Sequence, residues 1–195
     1  MKRIIVSTCL AVALVLYGGF GAVHQPAPAA EADKFCDFVD EKGRISLPPD
    51  YRTTFTHLGS FVAARKTGGT IDQLHGVYAR PQDVKAYQTD GKFPDGAVLV
   101  RDISTIRSAD LTTGTATWAA DVKEWYVMVK DTKGRFKGND LWGDGWGWAL
   151  FDAKEPKKQI ITDYAVGCRG CHRPAQKDDW LYVRGYPVLR DKPVK

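Results

Sequence analysis

A mainly antiparallel β-sheet with a few short helices, α+β in class and confined to a single domain, is what three observations predict. Short segments rich in β-branched and aromatic residues recur between turn-forming dipeptides. Helical periodicity sustained over roughly 15 residues is absent after the N-terminal segment. Residues 31–195 are enough for one substantial core and too few for two comfortable ones.

In chain order, Leu47-Pro48-Pro49-Asp50-Tyr51-Arg52 reads as a turn entering a short helix. His75-Gly76-Val77-Tyr78-Ala79 reads as a strand interrupted at Gly76 by a bulge or a close backbone approach. Pro81 to Tyr87 reads as a helix, with proline in its first turn and Gly91 past its end. The turn Pro94-Asp95-Gly96 leads into a strand over Ala97–Arg101, and Glu124–Lys130 is a second β-rich run that stops at Asp131. Asp144-Gly145 is a hairpin dipeptide that feeds a strand over Trp146–Phe151. Trp142, Trp146 and Trp148, set among glycines, read as the core of that hairpin, with packing against a bound cofactor as the alternative.

Chemistry concentrates in Cys168-Arg169-Gly170-Cys171-His172, the pattern of a c-type haem attachment site. Two thiols three positions apart can each add to one haem vinyl group. The histidine that follows is then held under the iron as its axial ligand, so the expected cofactor is haem c. A zinc ribbon needs a second ligand pair at matching spacing, and the sequence has none. A thioredoxin-like pair should follow a βα pattern, whereas the approach Thr162–Gly167 is polar and ends in glycine. A plain disulfide leaves His172 unexplained. The missing helical periodicity also argues against the four-helix bundle used by many ligand-binding c-type cytochromes.

The N-terminus agrees with this reading. Lys2-Arg3 precede an uncharged stretch from Ile4 to Val23, and Ala27-Pro28-Ala29 resembles a cleavage site. Residues 1–30 are therefore expected to be a signal peptide that directs residues 31–195 to the periplasm. The uncharged stretch is also long enough for an uncleaved anchor. Lys2 and Arg3 account for two of the formal +5 charges, so the exported chain carries +3, with no basic stripe to suggest nucleic acid. Cys36 is left without a partner once Cys168 and Cys171 are committed. It is either a buried inert thiol or the site of an intersubunit bridge, the second being the sharper expectation.

Tyr164 to Leu189, with its haem motif and Gly185-Tyr186-Pro187-Val188-Leu189, resembles the C-terminal signature of the cytochrome P-460 and cytochrome c′-beta family. Leu47–Arg52, Val77-Tyr78, Gly91-Lys92-Phe93-Pro94-Asp95-Gly96-Ala97-Val98 and Val129-Lys130-Asp131 resemble earlier parts of the same pattern, in order. The resemblance implies a homodimer with one haem c and a five-coordinate iron whose distal face is open. It also implies a redox partner protein. Cytochrome P-460 members oxidise hydroxylamine and carry a lysine cross-linked to the macrocycle; c′-beta members lack that bond and bind nitric oxide or carbon monoxide.

At the cross-linking position this chain has Arg101, which stays protonated and cannot offer a free amine. At the position of the family's distal carboxylate it has Tyr126, with Glu124 two residues away on the same strand face. His75 stands where the family has a basic distal residue. His75, Arg101, Glu124 and Tyr126 are thus the distal candidates, and Lys130 is the one other lysine to consider. Met128 shares the parity of Tyr126, and the two are expected to cap the distal side. His57 is expected to be structural. The leading expectation is a ligand-binding haem c protein for small diatomic or nitrogenous molecules. The alternatives are a hydroxylamine-oxidising enzyme and a six-coordinate electron carrier.

Overall fold

The computed structural model describes residues 35–64, 69 and 71–190. Six strands, β1 Thr56–Ala64, β2 Ile71–Ala79, β3 Val98–Leu111, β4 Gly114–Lys130, β5 Trp142–Gly143 and β6 Trp146–Asp152, form one sheet in the order β1-β2-β3-β4-β6-β5. Every neighbouring pair is antiparallel. With α1 at Tyr51–Thr54, α2 at Pro81–Asp90 and short helical turns from Ala165 to Arg190, this is the α+β domain expected. The segment read as a signal peptide lies outside the described residues, as does its alternative as an anchor. Among the described residues no helix is long and apolar enough to cross a membrane.

Strand alternation divides the core in two. In the smaller, second core Val98, Val100, Val127, Val129 and Phe151 point to one face, where Cys36, Ile45 and Tyr51 cover them. Val77, Ala79, Leu99, Met128 and Trp148 point to the other, under α2 and the C-terminal helical turns. Because both faces are covered, the central strands read as continuous apolar runs rather than alternating ones. Pro81 opens α2 and Gly91 closes it in the left-handed conformation (φ 69°). Asp83 ties the helix to the sheet by accepting hydrogen bonds from Arg80 Nε at 2.7 Å and the Val98 amide at 3.0 Å.

Three features differ from the expectation or sharpen it. β1 was not expected: its alternation is broken by two register shifts, and Gly59 is there for proximity, since a Cβ would lie 2.3 Å from the Gly185 carbonyl oxygen. β3 and β4 run well past the expected Ala97–Arg101 and Glu124–Lys130. Beyond the partners supplied by β2 and β6 they continue as a two-stranded ribbon from Ile106↔Ala119 to Leu111↔Gly114. Ribbon side chains are mostly solvated, so no apolar period marks them in the sequence. At Gly76 the alternatives resolve to close approach, because pairing with β3 is regular there and a Cβ would sit 2.8 Å from Asp102 Oδ1.

Cys36 is 3 % exposed and burial pushes its thiol pKa up. Of the two alternatives for Cys36 this favours the buried inert thiol: the sulfur is inside the second core, where a partner chain reaches it only through local unfolding.

Asp102 holds the second core to the sheet. Its buried carboxylate accepts hydrogen bonds from Tyr51 Oη at 2.7 Å, Arg52 Nη2 at 2.7 Å and Nε at 2.9 Å, and the Gly76 amide at 3.2 Å. Tyr51 Oη in turn accepts from Trp125 Nε1 at 2.9 Å. Asp102→Ala leaves these donors without their acceptor and is expected to cost about 3 kcal/mol or more in urea unfolding.

Candidate functional site

The segment carrying the two thiols and His172 is a run of helical turns of changing pitch: π over Ala165–Arg169, α over Gly170–His172 and 3₁₀ over Arg173–Asp178. Asp163 starts it by accepting the Ala165 amide at 2.7 Å. The run is pinned to the β5–β6 hairpin through Asp144, which accepts Arg169 Nε at 2.7 Å and Tyr164 Oη at 3.3 Å. Asp144 and Gly145 both have positive φ (56° and 80°), as a two-residue hairpin turn requires. Gly143 permits the close docking, for a Cβ there would meet Tyr164 Oη at 2.1 Å. Three positions apart on a helical run, Cys168 and Cys171 lie on one side, and both line a cleft between this segment and the sheet.

His172 lines the same cleft. Its Nδ1 lies 2.8 Å from the Trp180 carbonyl oxygen. A carbonyl only accepts, so Nδ1 carries the proton and Nε2 of the neutral imidazole keeps its lone pair. Burial lowers the His172 pKa, the Trp180 carbonyl opposes that, and the Arg101 charge adds to it. The net effect keeps the ring neutral and ready to donate electrons. Trp148 fixes the ring from the side, edge-on at 4.8 Å and 71°. The sequence favoured hairpin core over cofactor packing for Trp148; the side chain is in the core and lines the cleft as well.

The Trp180 carbonyl is itself aimed by a strained turn. Asp179 and Trp180 both have positive φ, 60° and 69°. The turn is held because Asp179 is buried, accepting the Phe93 amide at 3.0 Å and pairing with Lys130. Lys130 also lies 4.6 Å above the Trp146 ring. Its amine is therefore spent on anchoring the C-terminal turn, and it is not among the cleft residues.

The cleft opens to solvent on one side, with about 900 Å³ of space between its walls and across its open mouth. Leu99, Met128, Tyr126 and Arg101 form its sheet wall, Phe61 and Tyr186 its flanks. Arg101 Cζ stands 4.1 Å over the Tyr126 ring. Tyr126 Oη donates to Glu124 Oε1 at 3.3 Å, and burial raises the tyrosine pKa, so the phenol is no base at neutral pH. Glu124 touches the cleft only through Tyr126. His75 is 7 % exposed and sits behind the wall, its ring 4.7 Å from that of Phe61. Phe61 rather than His75 faces the cleft, and nothing in the sequence singled it out. His57 hydrogen-bonds Ser60 at 2.9 Å on the exposed edge of β1, away from the cleft.

This arrangement suits a macrocycle better than a bare ion. Among the described residues no group of three or more His, Cys, Asp or Glu side chains converges on a metal position. One neutral imidazole and two thiols on a single apolar cleft leave most of an iron's ligands to be supplied by something else. The family model described as Cytochrome P460 matches residues 48–183. The chain belongs to the cytochrome P460 family. Its cofactor is accordingly of the haem type, with iron, and the protein is a haem-binding cytochrome. No match was found among curated proteins.

In this cytochrome P460 protein, burial lowers the His75 pKa to about 4, the Arg101 charge adding to the effect and Asp102 opposing it. An unfolded histidine titrates near 6.5, so between about pH 6.5 and 4 the unfolded chain takes up a proton that the folded chain refuses. Stability from this group is complete above that window and is lost as the pH falls through it. Urea unfolding at a series of pH values should show the loss, and His75→Leu should flatten it.

Proposed function

We propose that this protein is an exported, periplasmic haem c cytochrome that binds small ligands such as nitric oxide, with Cys168 and Cys171 as the attachment thiols and His172 as the axial ligand. The observation that carries the reading is the hydrogen bond from His172 Nδ1–H to the Trp180 carbonyl, which leaves Nε2 as the free donor of a buried imidazole. When bound, the haem supplies a redox-active iron with one position open to an exogenous ligand. The chain's own part is to hold and shield it. The cysteines fix the macrocycle, while Leu99, Met128 and Tyr126 keep bulk water out and favour small linear molecules. Electrons pass to and from a separate redox partner protein. Support for export comes from the basic, then uncharged, then Ala/Pro-rich pattern of residues 1–30.

Among the described residues no lysine lines the cleft, and Arg101 occupies the place where a cross-linking amine would be needed. We therefore place the protein on the ligand-binding side of the family. Hydroxylamine oxidation is the second reading, favoured by the contact that brings the Glu124 carboxylate to the Tyr126 hydroxyl. A six-coordinate electron carrier draws on Met128, whose thioether side chain lies on the wall.

The exported protein is expected to keep its colour through acidified acetone, and Cys168→Ala with Cys171→Ala to release it. At rest its spectrum should be high-spin, its ferrous Soret band should lack a red shift, and no lysine peptide should stay on the haem in mass spectrometry. Hydroxylamine turnover with an artificial acceptor above that of free haem would transfer the protein to the second reading. A low-spin resting spectrum would transfer it to the third.

We also propose a homodimer, supported by the β3–β4 ribbon. Its two faces differ. Ser108–Thr117 and Asp110–Thr115 hydrogen bonds (2.7 and 2.6 Å) occupy one, whereas Trp118, Ala109, Ala116 and Leu111 share the other by strand parity, with Arg107 opposite Trp118 at its inner end. Trp118 and Leu111 are 42 % and 54 % exposed. A two-stranded ribbon is marginal in water without a surface to pack on. Trp118→Glu is expected to shift the protein from dimer to monomer in sedimentation velocity.

A further inference from the structure

Among the described residues Arg101 is the one charged side chain lining the cleft. The other walls are aliphatic, aromatic or thiol-bearing, so nothing there balances its charge. Its Nε is buried without a hydrogen-bond partner. Among the described residues its guanidinium makes no ion pair, and it stands 4.1 Å over the Tyr126 ring. Both neighbouring carboxylates are spent elsewhere. Asp102 follows it on the strand and so points to the opposite face, where it serves Tyr51 and Arg52. Glu124 takes the Tyr126 hydroxyl. A cation held in an apolar cleft with donors to spare is costly unless an anion meets it.

We propose that Arg101 makes this cleft a receptor for small inorganic anions, held by its guanidinium N–H groups beside the iron of the ferric protein. The inference rests on the haem reading above and adds to it a selectivity that depends on oxidation state. Neutral diatomic ligands do not need the guanidinium; anions do. A haem carboxylate is the competing source of negative charge, and the variants below separate the two.

Azide and fluoride titrations of the ferric full-length protein, followed in the Soret region, test this against carbon monoxide binding to the ferrous protein. Arg101→Gln and Arg101→Leu are expected to weaken azide about tenfold or more, as loss of a charge-assisted hydrogen bond should. Both should leave carbon monoxide affinity within about twofold, and Arg101→Lys should restore part of the azide affinity. Carbon monoxide binding reports that each variant is folded around its cofactor. Azide affinity indifferent to Arg101 in a coloured protein overturns the inference alone. So does a set of variants that shift the haem potential with azide affinity unchanged, since that is the behaviour of a carboxylate partner. A colourless parent overturns the haem reading and this inference with it.

Discussion

The Asp179 carboxylate, buried between the Lys130 amine and the Phe93 amide, is the contact on which the site depends. It holds the chain through two consecutive residues of positive φ, and those residues turn the Trp180 carbonyl toward His172. Without that carbonyl the imidazole has no fixed tautomer, and the neighbouring thiols have no defined relation to it. Ion pairs so deeply buried contribute little net stability, because desolvation offsets attraction. Their value here is positional: Lys130 ends β4 and Asp179 belongs to the C-terminal turns, so one pair sets the distance between the sheet and the segment that closes the cleft.

A sheet covered on both faces makes this arrangement workable. One face is sealed by residues 35–55 and locked through Asp102; it carries no chemistry and supplies rigidity. The other carries the cleft. Arg101 and Asp102 are adjacent in sequence yet serve opposite faces, and that alternation separates a charge left free for binding from a charge consumed by structure. The helical run that bears the cysteines then docks on the β5–β6 hairpin through Asp144 and the bare backbone of Gly143.

The electrostatics of the cleft follow from one guanidinium in apolar surroundings. It disfavours protonation of His75 and His172 and favours ionisation of the Cys168 thiol, while burial dominates all three shifts. Both imidazoles are neutral in consequence. His172 is a competent ligand for that reason. His75 cannot act as a proton donor of any strength behind Phe61.

By itself the sequence determined the fold class, the strands at the sheet centre, α2 with its proline start and glycine stop, and the five-residue motif. These are local signals, written in residue type and spacing, and they persist whatever the rest of the chain does. Through the resemblance to the family it also pointed to Arg101 and Tyr126 as residues of one distal face. What only the tertiary structure decided are relations between distant segments. These include Phe61 in front of His75, Trp148 against His172, Lys130 paired with Asp179, Cys36 sealed in the second core, and a ribbon whose apolar face appears only when two strands are set in register. None leaves a periodic trace, because each arises from two stretches of chain that meet only after the sheet has formed.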